Sequence, residues 1–116
     1  MEILLFEDYN QDDENEKFIE SLDECISACQ RCIDEYVEES DHMDMIDACQ
    51  DCIYICSTMK ELLENDSKLA KAQSQICKLS INACIEECKQ FEEESSASCI
   101  ESCKRCLIDC EAMLED

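Results

Sequence analysis

Apolar residues recur along this chain at steps of three and four, with charged and polar residues between them. Each residue of an α-helix advances about 100°, so such positions gather on one side of it. Four segments carry the pattern: about Glu14 to Glu38, Asp41 to Glu64, Asp66 to Phe91 and Ser96 to Leu114. Asp41, Asp66 and Ser95 or Ser96 stand where a side-chain oxygen accepts hydrogen bonds from the free N–H groups of a first turn. Asn65 is placed to adopt the left-handed conformation that ends many helices. Links this short fold each helix back on the last, which predicts an all-α, antiparallel up-down-up-down four-helix bundle. The bundle takes residues 14–116, and residues 1–13 form an acidic leader. The leader is expected to lack structure except at Ile3 to Phe6, a short apolar run positioned to dock on the bundle or on a neighbouring subunit.

The residues that hold these stripes are mostly cysteines. The first helix carries Cys25, Cys29 and Cys32, the second Cys49, Cys52 and Cys56, and the third Cys77, Cys84 and Cys88. The fourth carries Cys99, Cys103, Cys106 and Cys110. Within each helix these thiols fall in a sector of roughly 60°, so in a bundle all four stripes point at the core. Ile19, Ile26, Ile33 and Val37 make a second stripe that would seal helix seams. Ile53, Leu62, Ile76, Ile85, Ile100 and Leu107 would seal seams or form a subunit interface. His42, Met45 and Tyr36 collect at one end of the thiol stripe, beside Cys88 and Cys99. Phe18, Leu22, Met59, Leu69 and Met113 collect at the other as an apolar plug.

Composition supports long helices: there is no glycine and no proline, the residues that tight turns and hairpins need. With 31 acids against 9 bases the net charge is −22, which repels nucleic acid and anionic lipid. The start, "MEILLFEDYN", has an acidic flank in place of the basic region of a signal peptide. No stretch reaches the ~18 apolar residues of a membrane span. A cytoplasmic location is therefore the expectation, and thiols there stay reduced. Thirteen cysteines is an odd number, so complete internal pairing is impossible.

Buried free cysteine behaves as a small hydrophobe, but leucine would bury more apolar area without the oxidation hazard. Metal binding accounts for both the number and the direction. Cys25/Cys29, Cys52/Cys56, Cys84/Cys88, Cys99/Cys103 and Cys106/Cys110 each sit at i, i+4, about 6 Å apart at Cβ. Two sulfurs leaning across that gap suit Cu(I), a soft ion bound by thiolate and thioether in low coordination. Each Cu(I) that displaces one thiol proton leaves the interior's charge unchanged, whereas Zn(II) on four thiolates leaves two negative charges. Zinc or mixed-metal buffering remains an alternative, since Cys29/Cys32, Cys49/Cys52 and Cys103/Cys106 have the C-x2-C spacing of zinc sites. A disulfide-stapled helical hairpin that binds other proteins is a second alternative, and an iron–sulfur carrier a third. The chain shows no nucleophile–base pairing that would mark an enzyme. His42 and Met45 form a mouth able to capture Cu(I) and pass it to the thiols, whereas Met43 points elsewhere.

The runs "CISACQRC", "DMIDACQDCIYIC", "INACIEEC" and "SCIESCKRCLIDC" resemble the cysteine-rich four-helix-bundle copper storage proteins of bacteria. The resemblance covers about residues 18 to 114. It implies a bundle that stores many Cu(I) ions on these thirteen cysteines, with His42 and Met45 as the mouth. It also implies a homo-oligomer, commonly a tetramer, and the cytosolic kind of family member. A copper chaperone or acceptor protein would be the partner. Two features depart from the family pattern: Ala97 and Ser98 precede Cys99 where a histidine is common, and Ser80 lies on the third stripe where another thiol would fit.

Overall fold

A computed structural model of the chain describes the backbone of residues 2–115 and the side chains of residues 13–115. Helix α1 runs Glu2–Tyr36, α2 Met43–Glu64, α3 Ala70–Cys88 and α4 Glu94–Glu115, with a single 3-10 turn at Ser40–His42 before α2. Consecutive helices pack antiparallel, and α4 closes the ring against α1. The four-helix bundle expected from the periodicity is the fold observed. Helix α1 begins at Glu2, so its backbone is already helical through the residues set apart as a leader. The side chains of Ile3 to Phe6, and their expected docking, lie outside the described residues.

On each of the first three helices one row of buried positions steps by three and four in strict alternation. In α1 they are Phe18, Leu22, Cys25, Cys29, Cys32 and Tyr36; in α2 they are Met45, Cys49, Cys52, Cys56, Met59 and Leu63. In α3 they are Ala70, Ser74, Cys77, Ile81, Cys84 and Cys88. This is the seam of a coiled-coil-like bundle, in which each side chain inserts between residues of the facing helix. Polar contacts between neighbouring helices fix their register. Lys60 pairs with Asp23 at 2.9 Å, Lys78 with Glu111 at 3.6 Å and Arg105 with Glu24 at 3.6 Å. These pairs are solvated, so they contribute orientation more than stability. The Ser21 hydroxyl adds a contact to Asp109 of α4 at 2.6 Å.

The turns depart from the sequence expectation in detail. Asp66, not Asn65, is the left-handed residue after α2, with φ of 50°. The Ser67 amide donates to the Leu62 carbonyl at 2.9 Å and the Asp66 amide to Leu63 at 3.3 Å, the paired bonds of a Schellman end. That places Asp66 outside both helices. Ser67 takes over at the start of α3, where its hydroxyl accepts from the Leu69 amide at 3.1 Å. Asp41 falls within the 3-10 turn, and no side chain caps α2. Ser96 sits inside the first turn of α4 and reaches back, accepting from the Glu93 amide at 3.3 Å.

Val37, expected to seal a seam, Leu69, expected in the apolar plug, and Ile76, expected to seal a seam or form a subunit interface, are exposed. Val37 follows the last residue of α1, Leu69 precedes the first residue of α3, and Ile76 is one step off the seam position of Cys77. Ile85 is buried, while Ile19, Ile26, Ile33, Ile53, Leu62, Ile100 and Leu107 are half-buried along the seams as expected.

Candidate metal centre

All thirteen cysteines point into the bundle with 0 % exposure, and every one is a free thiol. The antiparallel register explains which sulfurs meet. Between α1 and α4, Cys25 faces Cys103 at 3.6 Å and Cys29 faces Cys99 at 3.7 Å. Between α2 and α3, Cys49 faces Cys84 and Cys56 faces Cys77, each at 3.7 Å. A further contact across α1 and α2 joins Cys25 to Cys52 at 3.8 Å, and Cys52 leans on Cys56 of its own helix at 3.8 Å.

Four groups of sulfurs lie within 4.8 Å of one another: Cys32/Cys49/Cys88/Cys99, Cys29/Cys84/Cys99/Cys103, Cys25/Cys29/Cys52/Cys103 and Cys25/Cys56/Cys106. The groups overlap. Cys25, Cys29, Cys99 and Cys103 each belong to two of them, so the sulfurs form a continuous column along the bundle axis. Cys77 continues it below Cys56, and Cys110 lies within reach of Cys106 and Cys77. Ser74 ends the column with its hydroxyl donating to the Cys110 carbonyl at 3.0 Å. The third helix breaks the run of sulfur at Ile81, which is fully buried on the seam between Cys77 and Cys84. Ser80, assigned to that position from the sequence, lies beside it toward the α2–α3 groove.

The thiols do not share one protonation state. Hydrogen bonds from Cys32, Cys49 and Cys84 hold Cys88 below the ordinary thiol range, and those from Cys103 and Cys29 do the same for Cys99. At the other end, hydrogen bonding with Cys106 and Cys25, together with burial, pushes Cys56 up. Hydrogen bonding with Cys106, and burial, push Cys110 up. No gradient runs between the ends: Cys32 and Cys49, beside Cys88 and Cys99, are pushed up, and Cys25 and Cys52, beside Cys56, are held down, because a hydrogen bond between two close sulfurs favours thiolate on one and thiol on the other.

The spacing places His42 and Met45 together beyond Cys49, and the structure does so: both are buried, Met45 completely. The setting of His42 does not follow from the spacing. Its ring lies between Tyr36, 4.7 Å away at 12°, and Phe91, 4.0 Å away at 18°. Its Nδ1 is 3.3 Å from Glu39 Oε2 and its Nε2 3.4 Å from Glu93 Oε1. Phe91 stands three residues after Cys88, one helical step along the same stripe, which is the signal that could have found it. Nothing in the spacing marks Glu39 or Glu93. Burial raises the Tyr36 phenol, and the Glu93 carboxylate beside it adds to the shift. The opposite end is closed by Phe18, Leu22, Met59 and Leu63, with Met113 half-buried against them. Leu69, assigned to that plug, is exposed because it lies in the turn before α3.

Residues 11–115 match the family described as copper storage protein. Among curated proteins, the uncharacterized cysteine-rich protein YhjQ of Bacillus subtilis (strain 168) is 28 % identical over 102 residues, which are 85 % of this chain and 94 % of that one. Among solved structures, the Cu(I)-bound copper storage protein BsCsp3 superposes with a TM-score of 0.82 at 27 % identity, covering 87 % of this chain and 98 % of that one. Apo copper storage protein 3 from Bacillus subtilis gives a TM-score of 0.80 at 25 % identity, with 85 % and 97 % covered.

Proposed function

This chain belongs to the copper storage protein family, and on that premise we propose that its sulfur column is a store for multiple Cu(I) ions held by the thirteen cysteines. His42 and Met45 serve as the mouth through which ions pass. The observation that carries this reading is the overlap of the sulfur groups. Shared sulfurs suit an ion of low coordination that tolerates bridging thiolates. A tetrahedral Zn(II) prefers four thiolates to itself and leaves two uncompensated negative charges in a buried site. Cu(I) entering with loss of one proton per ion keeps the interior neutral.

The role is storage and detoxification by reversible chelation, without catalysis. The protein works in the cytoplasm, where thiols stay reduced, and it assembles as a homo-oligomer, as a tetramer by family likeness. A chaperone or acceptor protein supplies or removes the metal. Among the described residues no helix is long and apolar enough to cross a membrane.

Anaerobic titration with Cu(I) against a competing chelator, with zinc run in parallel, tests the reading. Tight uptake of roughly one Cu(I) per cysteine is expected. Saturation after one or two ions, or preference for zinc, contradicts it. The double substitution Cys103→Ser with Cys106→Ser should lower the capacity while the far-ultraviolet circular dichroism stays helical.

A further inference from the structure

Every thiol of the column has 0 % exposure, so no ion reaches or leaves it unless one end of the bundle opens. The two ends differ in what opening would require. At the Leu22 end an ion would cross Phe18, Leu22, Met59 and Leu63, with Met113 half-buried against them; two thioethers are the only ligands among these five side chains, and a bare ion in apolar surroundings is strongly disfavoured. At the other end the ion would meet imidazole, carboxylate and thioether before the first thiols. The way there is shut by the His42 ring, which is 4 % exposed, and by Tyr36, which is 3 % exposed.

We propose, building on the storage reading, that Tyr36, Phe91, Glu39 and Glu93 hold the His42 ring across the outer end of the column as a gate, and that they set the rate of Cu(I) entry and release. Tyr36, Glu39 and His42 come from the α1–α2 connection and its borders, Phe91 and Glu93 from the α3–α4 connection. The stack therefore ties together the two turns that overlie Cys32, Cys49, Cys88 and Cys99. Both imidazole nitrogens face carboxylate oxygens, at 3.3 and 3.4 Å, so in this arrangement the ring closes the passage. The ring becomes a ligand only after it leaves the stack.

The closed arrangement is also under polar stress. Among the described residues, two buried side-chain polar atoms have no hydrogen-bond partner, and both are here: the Tyr36 hydroxyl and His42 Nδ1. Glu39 Oε2 is near Nδ1 but off the line of a hydrogen bond. Buried polar atoms left unpaired favour the state in which they find a partner, so opening to water or to an ion relieves a cost. Phe91 is tied to its turn by its amide, which donates to the Cys88 carbonyl at 3.2 Å, and by its carbonyl, which accepts from the Ser96 hydroxyl at 3.0 Å. Its ring is the least buried of the three in the stack, so it is the one whose loss disturbs the rest of the core least. Tyr36, Phe91, Glu39 and Glu93 are positioning residues. They act on the ion through His42.

The test uses the full chain and measures transfer of Cu(I) to and from a colorimetric chelator under anaerobic conditions. Phe91→Ala should raise both loading and unloading rates by roughly 3- to 10-fold, the range that one lost ring stack commands. The final copper-to-protein ratio should stay at the wild-type value. Phe91→Leu keeps the bulk without the stack and should fall between the two, which preserves the test if the alanine variant folds poorly. Phe18→Ala, at the other end, should weaken the bundle and leave transfer rates unchanged. Wild-type rates in both Phe91 variants overturn the gate. So does an equal acceleration by Phe18→Ala, which would reflect general loosening, and so does a lower final ratio, which would make Phe91 part of the sites. Failure of the storage reading would show separately, as a low final ratio in the wild-type protein.

Discussion

The two ends of the sulfur column are built from opposite materials on the same heptad-like seam. At one end the seam positions hold Phe18, Leu22, Met59 and Leu63, side chains that bury large apolar areas and carry no charge. At the other they hold Tyr36 and Met45 beneath a stacked histidine flanked by carboxylates. Between them lies a core of cysteine, which supplies less hydrophobic stabilisation per residue than leucine would. The Leu22 end therefore carries a disproportionate share of the metal-free protein's stability, and the His42 end is the one proposed to carry the traffic. A storage protein needs both, because a core filled with ligands cannot also be filled with leucine.

Substitution at the apolar end should have the largest effect. Leu22→Ala is expected to destabilise the metal-free protein by about 2–5 kcal/mol, the range for large-to-small changes at a fully buried site. His42→Ala should cost less, since the ring contributes mainly its stacks. Urea unfolding of the two variants side by side decides the point, and equal losses would erase the proposed division of labour.

Lowering the pH should weaken binding along the whole column, because raised and lowered thiols share every group of four sulfurs. An ion that displaces one proton loses affinity about tenfold per unit of pH lost. From pH 8 to pH 6 that amounts to about 2.7 kcal/mol per exchanged proton. Chelator competition at several pH values should show this fall, and an affinity independent of pH would contradict proton displacement.

The turns give the smallest effects, one at each end. Ser96→Ala removes the hydroxyl that accepts from the Glu93 amide at the start of α4, at a cost of about 1 kcal/mol. Asp66→Gly should stabilise by roughly 0.5–1 kcal/mol, because glycine adopts the left-handed conformation at φ of 50° without the Cβ penalty. Thermal unfolding resolves both. An unchanged midpoint for Ser96→Ala would mean that the α4 start is held by other contacts.

Much of this architecture is legible in the residue pattern. The steps of three and four put Cys25, Cys29 and Cys32 on one side of α1, and the same arithmetic works on each helix, because helical geometry is local. The clustering of His42 and Met45 with the Cys88 and Cys99 end follows from antiparallel order alone. Other assignments fail at positions where locality fails. Ser80 and Ile81 are adjacent, and only the packing of α3 against its neighbours decides that Ile81 takes the seam. Leu69 reads as helical in the sequence, but the left-handed Asp66 delays α3 until Ala70.

By itself the sequence determined four amphipathic helices and the inward face of each, since both follow from side-chain chemistry repeated at the helical period. It determined the stock of sulfur as well. The tertiary structure alone decided which sulfurs are shared between groups, because Cys25 meets Cys103 and Cys29 meets Cys99 only through the register of α4 against α1. It also decided that Phe91 and Glu93, far along the chain from His42, close over the same ring. Contacts of that kind depend on how two turns meet in space, and no period within a single helix records them.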